Sequence, residues 1–232
     1  MPFADDELID RIAAEQRGVV TRAQLLARGV RRHAIDARVQ ARRLRPLHRG
    51  VYGVGPVAAA YAREMAGLLA CGPEAVLSHH SAAWLWRLVP DPGDAPVEVT
   101  VPEKDRGRRP GIRVYRTALE PEDVAKLDGI ALTTPTRTLI DLATVLASRD
   151  LELALAQAER QNLLDRRDLL AIVGKRAGKP GAPLLRDLLA GETGPALTRS
   201  EAEERLLMLI RKAQLPPPET NVNIGQYEVD FY

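Results

Sequence analysis

The hydrophobic positions of the first fifty residues recur at helical spacing in three short segments, at residues 5–16, 21–29 and 31–43. In each segment the apolar side chains fall on one face of a helix. Residues 44–54 instead alternate between apolar and polar positions and contain Pro46, Gly50 and Gly53, which is typical of a small β-hairpin. Three helices followed by a hairpin predict a winged helix-turn-helix domain at residues 1–55.

After residue 55 the pattern mixes helical and extended segments. The helical runs lie at 58–70 and 81–88, and the strand patterns at 97–101 and 112–116. Pro135 begins a further helix, since proline is preferred in the first helical turn, and three more helical runs follow. We therefore expect an α+β middle domain at residues 56–195.

The last segment starts with a helical run that Ser200 caps and that the prolines at 216–218 end. Two strand patterns follow, on either side of Gly225 and Gln226. One helix and one hairpin bury too little surface to be stable alone. We therefore expect residues 196–232 to be the start of an incomplete domain.

The composition is that of a globular chain, with 45% hydrophobic and 28% charged residues. Aromatic residues make up only 4%, which disfavours a surface that stacks single-stranded bases on several rings. The single cysteine, Cys71, permits no internal disulfide and is expected to be a small buried hydrophobe. The longest uncharged stretches are shorter than a membrane span and the N-terminus is acidic, so we expect a cytoplasmic protein without a membrane partner.

The net charge of +2 hides an uneven distribution of cations. Residues 11–50 contain eleven arginines, no lysine and two acidic residues, whereas the rest of the chain is net acidic. In a winged helix, the third helix places Arg31 and Arg32 near base edges, and the hairpin places its cations on the phosphate backbone. A basic helix face that is merely solvated is the plainer alternative. The candidate DNA-binding residues are Arg22, Arg31, Arg32, Arg38, Arg42, Arg45, His48 and Arg49.

The sequence SHHS at residues 78–81 contains the residue types of nucleophile and metal sites. Adjacent histidines on a helix point about 100° apart, no Gly-x-Ser-x-Gly turn is present, and no third ligand has a standard spacing. We interpret the segment as a helix cap followed by a packed face with Trp84 and Trp86. Arg137 and Asp141 lie four residues apart, and we interpret them as an ion pair within one helix in preference to a ligand site.

Five segments stand in an informative order: VTRAQLL at 20–26, RRL at 42–44, HRGVY at 48–52, LSHHSAAWLW at 77–86 and TPTRTLIDLA at 134–143. Together they resemble the AbiEi-type antitoxins of type IV toxin-antitoxin systems, over about residues 5–190. The resemblance implies a winged helix that represses its own promoter. It also implies a following domain that neutralises a nucleotidyltransferase-like toxin.

The tail, from TRSEAEE at 198–204 to YEVDF at 227–231, is similar to the beginning of the very-short-patch-repair-like endonucleases, which have a restriction-endonuclease-like fold. That resemblance implies that Glu203 and Asp230 are catalytic and that Asp230 is a metal ligand. Metal-assisted phosphodiester hydrolysis requires several carboxylates around divalent cations, so two do not complete a site. We therefore expect no nuclease activity and no cofactor for this chain, with Mg²⁺ only where further strands complete the domain.

The sequence thus predicts a multi-domain α+β protein with a winged helix-turn-helix, an α+β middle domain and a truncated restriction-endonuclease-like C-terminal segment. The favoured function is a repressor that binds duplex DNA at its own promoter, as the antitoxin-like partner of a nucleotidyltransferase-like toxin. One alternative is a DNA endonuclease that the winged helix targets. The other is a module that binds a partner protein while the basic helix is incidental.

Overall fold

The structure, a computed structural model, describes residues 2–101, 109–175, 178, 180–190, 210, 213, 220–224 and 227–231. The chain divides into two compact units, Met1–Gly191 and Glu192–Tyr232. The chain combines helices with β-sheets, which confirms the predicted α+β class. Within the described residues, no helix has the length and apolar character needed to cross a bilayer.

The first unit begins with three helices and three strands in the order α1, β1, α2, α3, β2 and β3. They span Pro2–Glu15, Val19–Thr21, Arg22–Ala27, Arg32–Gln40, Leu44–His48 and Val51–Val54. Thr21 caps α2: its side-chain oxygen accepts a hydrogen bond from the Gln24 N–H, and the Gln24 side chain accepts one from the Thr21 N–H. The strands form an antiparallel sheet of order β1-β3-β2, in which β1 is an element that the hydrophobic pattern did not predict.

Both faces of this small sheet are packed against helices. Side chains alternate along a strand, so neighbouring residues join different cores. Val20 and Tyr52 join a core formed with α1, α2 and α3. Val19 and Val51 point the other way and join a second core with the next helix, α4 (Ala62–Cys71). The three-helix region is therefore packed directly on the part of the chain that follows it. Cys71 is half-buried against this second core.

A five-stranded mixed sheet forms the centre of the first unit. After α4, its elements are β4 (Val76–Leu77), α5 (His79–Leu85), β5 (Val97–Val101), β6 (Ile112–Arg116), a 3₁₀ turn (Pro121–Asp123), β7 (Val124–Leu127), β8 (Ile130–Thr133) and α6 (Pro135–Leu142). The strand order is β6-β5-β4-β8-β7, with β5 parallel to β6 and β4 parallel to β8. Gly67 lets α4 approach β5 closely, because a Cβ there would lie 2.9 Å from Val97 Cγ1.

Three helices complete the first unit: α7 (Ser148–Arg160), α8 (Arg166–Lys175) and α9 (Ala182–Ala190). Their leucines, such as Leu151 and Leu185, pack with α6 in a core of their own. Gly181 has a φ of +81°, and a Cβ there would lie 2.9 Å from the carbonyl carbon of Ala143, so this position requires glycine.

In the second unit, the structure describes an antiparallel hairpin of β9 (Thr220–Ile224) and β10 (Tyr227–Phe231), with Val222 opposite Val229. These strands lie where the sequence predicts a hairpin.

Candidate nucleic-acid interface

Helix α3 exposes one continuous stripe of side chains. The buried side chain of Ile35 and the half-buried side chain of Val39 hold the opposite face against the core of the three-helix region. The exposed residues follow one another at positions i, i+1, i+4, i+5 and i+8, which is the spacing of one helix face. They are Arg32, His33, Asp36, Ala37 and Gln40.

The tip of the β2–β3 hairpin lies beside the start of α2. Gly50 turns the hairpin with a φ of +74°, and its carbonyl oxygen accepts a hydrogen bond of 2.8 Å from the Arg22 N–H. Arg49 is exposed at this tip. The hairpin tip and the N-terminus of α2 therefore belong to one surface.

Arg22 connects that surface to the exposed stripe of α3. Its Nη1 lies 2.7 Å from Asp36 Oδ1, and its Nη2 lies 3.3 Å from Asp36 Oδ2. Nη1 also donates to the Tyr52 hydroxyl at 3.3 Å. The hydrogen bonds from Arg22 lower the pKa of Asp36, so its carboxylate is ionised at neutral pH. Arg22, one of the predicted DNA-binding residues, thus makes an ion pair within the protein.

Three other predicted residues also have partners or burial inside the fold. The Arg38 side chain is only 11% exposed, and its Nε donates to Asp6 Oδ1 at 2.7 Å. Arg45 donates from Nε to the Gly55 carbonyl oxygen at 2.9 Å, and its guanidinium lies over Gly53. His48 is half-buried, and burial lowers the pKa of its imidazole, so it is neutral at pH 7.

The remaining four predicted residues, Arg31, Arg32, Arg42 and Arg49, are exposed. Arg28, the C-cap residue that follows α2, is also exposed and is not among the predicted residues. The prediction also omitted His33 and Gln40 from the stripe of α3. Their spacing from Arg32 on one helix face was the signal that identifies them.

Only one of the two predicted nuclease residues, Asp230, lies in the described part of the chain. Glu203 lies outside the described residues. Asp230 lies in β10, and the structure describes the backbone of that strand but not its side chains. Among the described residues, no three histidine, cysteine or acidic side chains are grouped so that they could hold a metal ion.

The central sheet contains a buried polar cluster around Glu98. Its side chain is 4% exposed and accepts hydrogen bonds from the His80 N–H at 2.8 Å, Arg113 Nη1 at 3.0 Å and the Tyr115 hydroxyl at 3.0 Å. His80 Nδ1 lies 2.9 Å from the same carboxylate. Burial alone raises the pKa of Glu98, but the hydrogen bonds from His80 and Tyr115 outweigh it and lower the pKa to about 2.

His79 is buried next to this cluster. Its ring stacks on Tyr115 with centroids 3.5 Å apart, and its Nδ1 lies 3.0 Å from Ser78 Oγ. Burial lowers the pKa of His79 to about 4, so the imidazole is neutral at pH 7. Ser78 is completely buried, so its hydroxyl is not accessible as a nucleophile.

A cavity of about 550 Å³ lies beside His79 and Tyr115, with Arg137 in its wall. Arg137 bridges two buried carboxylates: Nε lies 2.8 Å from Asp141 Oδ1, and Nη1 lies 2.8 Å from Asp123 Oδ2. The ion pair between Arg137 and Asp141 is therefore present, and Asp123 is a second partner that the sequence spacing could not reveal.

No family model matches the chain, and no curated protein matches it. A solved structure, the Rv2827c protein from Mycobacterium tuberculosis, is similar in fold, with a TM-score of 0.51 and 19% sequence identity. The match covers 93% of this chain and 82% of the other. At this identity the likeness concerns the fold.

Proposed function

We propose that residues 1–55 form a winged helix-turn-helix that binds duplex DNA, with α3 in the major groove and the β2–β3 hairpin as the wing. The observation that carries the proposal is the continuity of one surface. The exposed stripe of α3, the start of α2 and the hairpin tip are joined through Arg22 by bonds to Asp36 and Gly50. In a winged helix these are the elements that meet base edges and phosphates.

The charge of this region supports a polyanionic ligand. Residues 19–54 contain nine arginines and a single acidic residue, Asp36, whose charge Arg22 offsets. We assign phosphate contacts to Arg42 and Arg49 and base contacts to Arg31 and Arg32, which stand at the start of α3. Arg38, Arg45 and His48 support the surface from within the fold.

We infer that the DNA-bound protein represses transcription from its own promoter. A protein that occupies the promoter excludes the polymerase from it. The resemblance to AbiEi-type antitoxins favours this role and a nucleotidyltransferase-like toxin as partner of the middle domain, residues 56–195. Residues 78–81 support a binding domain more than a hydrolase, because Ser78 is buried and Glu98 is occupied by its hydrogen bonds to His80, Arg113 and Tyr115.

A mobility-shift titration tests the DNA-binding proposal. The bait is the DNA upstream of the protein's own gene, and a scrambled duplex of the same composition is the competitor. The wild-type chain should prefer the promoter duplex, and Arg31→Ala with Arg32→Ala should abolish that preference, since each arginine contact to guanine contributes about 1 to 3 kcal/mol of selectivity.

The matched control is Arg186→Ala, which removes an exposed arginine of α9 and should leave binding unchanged. Equal affinity of the wild-type chain for both duplexes at physiological salt would contradict the proposal.

A further inference from the structure

Asp36 is unusual because it is an acidic side chain in the middle of a cationic surface. One helical turn before it stand Arg32 and His33, and one turn after it stands Gln40, all exposed on the same face of α3. A carboxylate in this position repels the phosphates of an approaching duplex. Its presence therefore needs a reason that outweighs the repulsion.

The structure shows how the repulsion is reduced and how the carboxylate is held. Arg22 binds both oxygens of Asp36 in a fork, and Arg22 is itself anchored at Tyr52 and, through its N–H, at Gly50. A planar guanidinium fixes the direction of a carboxylate that it binds with two nitrogens. Asp36 is thus held in one orientation on the surface.

The fork leaves the carboxylate with unused capacity. An ionised carboxylate has about four acceptor positions, and the two contacts from Arg22 use one on each oxygen. The Asp36 side chain is 54% exposed, so the remaining positions are open to solvent. An oriented, exposed acceptor on the face of a recognition helix matches the exocyclic amine of cytosine, which carboxylates accept from in the major groove.

The plainer explanation of Asp36 is a helix lock, that is, an ion pair with Arg22 that only holds α2 and α3 together. Exposed ion pairs contribute little to stability, however, because water screens them and the side chains lose rotational freedom. The helices already share a core through Leu25 and Ile35. A lock therefore explains neither the exposure of Asp36 nor its place among the side chains that face the groove.

We propose that Asp36 is a specificity-determining residue that accepts a hydrogen bond from the N4 amine of one cytosine in the operator, and that Arg22 is the residue that positions it. The inference rests on the proposed function, since it assigns the sequence preference of the same DNA surface.

The test measures base preference position by position. The promoter duplex is replaced one base pair at a time, and the affinity of each duplex is determined for the wild-type chain, Asp36→Ala and Asp36→Asn. The wild-type chain should prefer cytosine at one position by roughly tenfold, the effect of one charged hydrogen bond. Asp36→Ala should reduce that preference to less than twofold and leave the other positions unchanged.

Asp36→Asn is the isosteric variant, and it keeps the test valid if the alanine variant unfolds. A carboxamide pairs best with adenine, so the preference at the same position should move from cytosine toward adenine. Arg22→Lys retains the positive charge but loses the fork. It should weaken the cytosine preference while the dependence of affinity on salt stays the same, which a purely electrostatic role of Arg22 does not predict.

The outcomes separate the two proposals. If the wild-type chain discriminates among duplexes but Asp36→Ala and Asp36→Asn weaken all of them equally, Asp36 is only a helix lock and this inference is wrong, while the DNA-binding function stands. If the wild-type chain discriminates among no duplexes, both are wrong.

Discussion

Two regions of the first unit use arginine-aspartate pairs in opposite ways. At the surface of the three-helix region, Arg22 and Asp36 are 31% and 54% exposed in their side chains. In the wall of the cavity beside His79 and Tyr115, the side chains of Arg137, Asp123 and Asp141 are between 6% and 11% exposed. The shortest contacts have nearly the same length, 2.7 Å between Arg22 and Asp36 and 2.8 Å from Arg137 to each carboxylate, so the difference lies in the exposure to solvent.

The comparison shows that burial decides what an ion pair does. A buried pair cannot be opened without leaving an unpaired charge in a medium that solvates it poorly, so it fixes the fold. An exposed pair contributes little to stability, and its free acceptor positions are open to a ligand. The N–O distances alone do not distinguish the two kinds of ion pair.

The largest effect on the free energy of unfolding is expected from a substitution of Arg137. Arg137→Ala leaves Asp123 and Asp141 buried without their shared guanidinium, and the loss of one partner of a buried pair costs about 3 to 5 kcal/mol. Urea unfolding measures the change. The control is Arg186→Ala, whose exposed partner is Asp187 at 3.8 Å, and which should change stability by less than about 0.5 kcal/mol. A similar small change for Arg137→Ala would show that burial does not separate the two kinds of pair.

The next largest effect is the dependence of the free energy of unfolding on pH through the buried His79. The pKa of His79 is about 4 in the folded chain and has its ordinary value of 6.5 in the unfolded chain. As the pH falls from about 6.5 to 4, the unfolded chain therefore takes up a proton that the folded chain does not. The free energy of unfolding should fall by about 3 kcal/mol over this range through His79.

The low pKa of Glu98 acts in the same direction at lower pH. Its folded value is about 2 against an ordinary 4.5, so the stability that it contributes is lost as the pH falls from about 4.5 to 2. Unfolding free energies of the wild-type chain and His79→Gln, measured from pH 7 to 4, isolate the histidine. Parallel curves for the two chains would mean that His79 is protonated as easily in the folded state as in the unfolded one.

The sequence predicted elements better than it predicted partners. The positions of α2, α3 and the hairpin followed from local spacing and turn residues, since those signals lie within a few residues of each other. Whether a given arginine faces solvent depends on residues far away. Arg38 binds Asp6, which lies 32 residues earlier on α1, and no local pattern reveals that contact.

The polar cluster of the central sheet shows the same limit. The sequence predicts a helix cap in the segment at residues 78–81, and α5 begins at His79, with Ser78 at the N-cap position. The burial of His79 and its stacking on Tyr115 depend on β6, which lies more than thirty residues later. The short strands β1, β4 and β7 were missed because two to four residues carry too little alternation to be distinguished from a loop.

A smaller effect is expected at Arg38, which lies on the same helix as the proposed DNA contacts. Arg38→Ala removes the bonds to Asp6 and to the Ala34 carbonyl oxygen, and should destabilise the chain by about 1 to 3 kcal/mol. Because its side chain is only 11% exposed, the folded fraction should bind DNA with unchanged salt dependence. The exposed Arg42, four residues later, is the matched comparison: Arg42→Ala should leave stability unchanged and weaken binding. A reversed pattern would place Arg38 on the DNA.

The smallest effect distinguishes two arginines of the same hairpin. Arg49 is exposed at the tip, whereas Arg45 lies over Gly53 and donates to the Gly55 carbonyl oxygen. Each phosphate contact contributes about −0.9 to the slope of log affinity against log salt on duplex DNA. Arg49→Ala should therefore make the slope shallower by about that amount with little change in stability. Arg45→Ala should instead lower the free energy of unfolding by about 1 kcal/mol and leave the slope unchanged, because its bonds stay within the protein.

Salt titrations of the two variants, at a temperature where both are folded, show which arginine contacts the phosphate backbone. Equal loss of slope in both would mean that Arg45 leaves Gly55 to reach the phosphate backbone, and that the wing contacts DNA along β2 as well as at its tip.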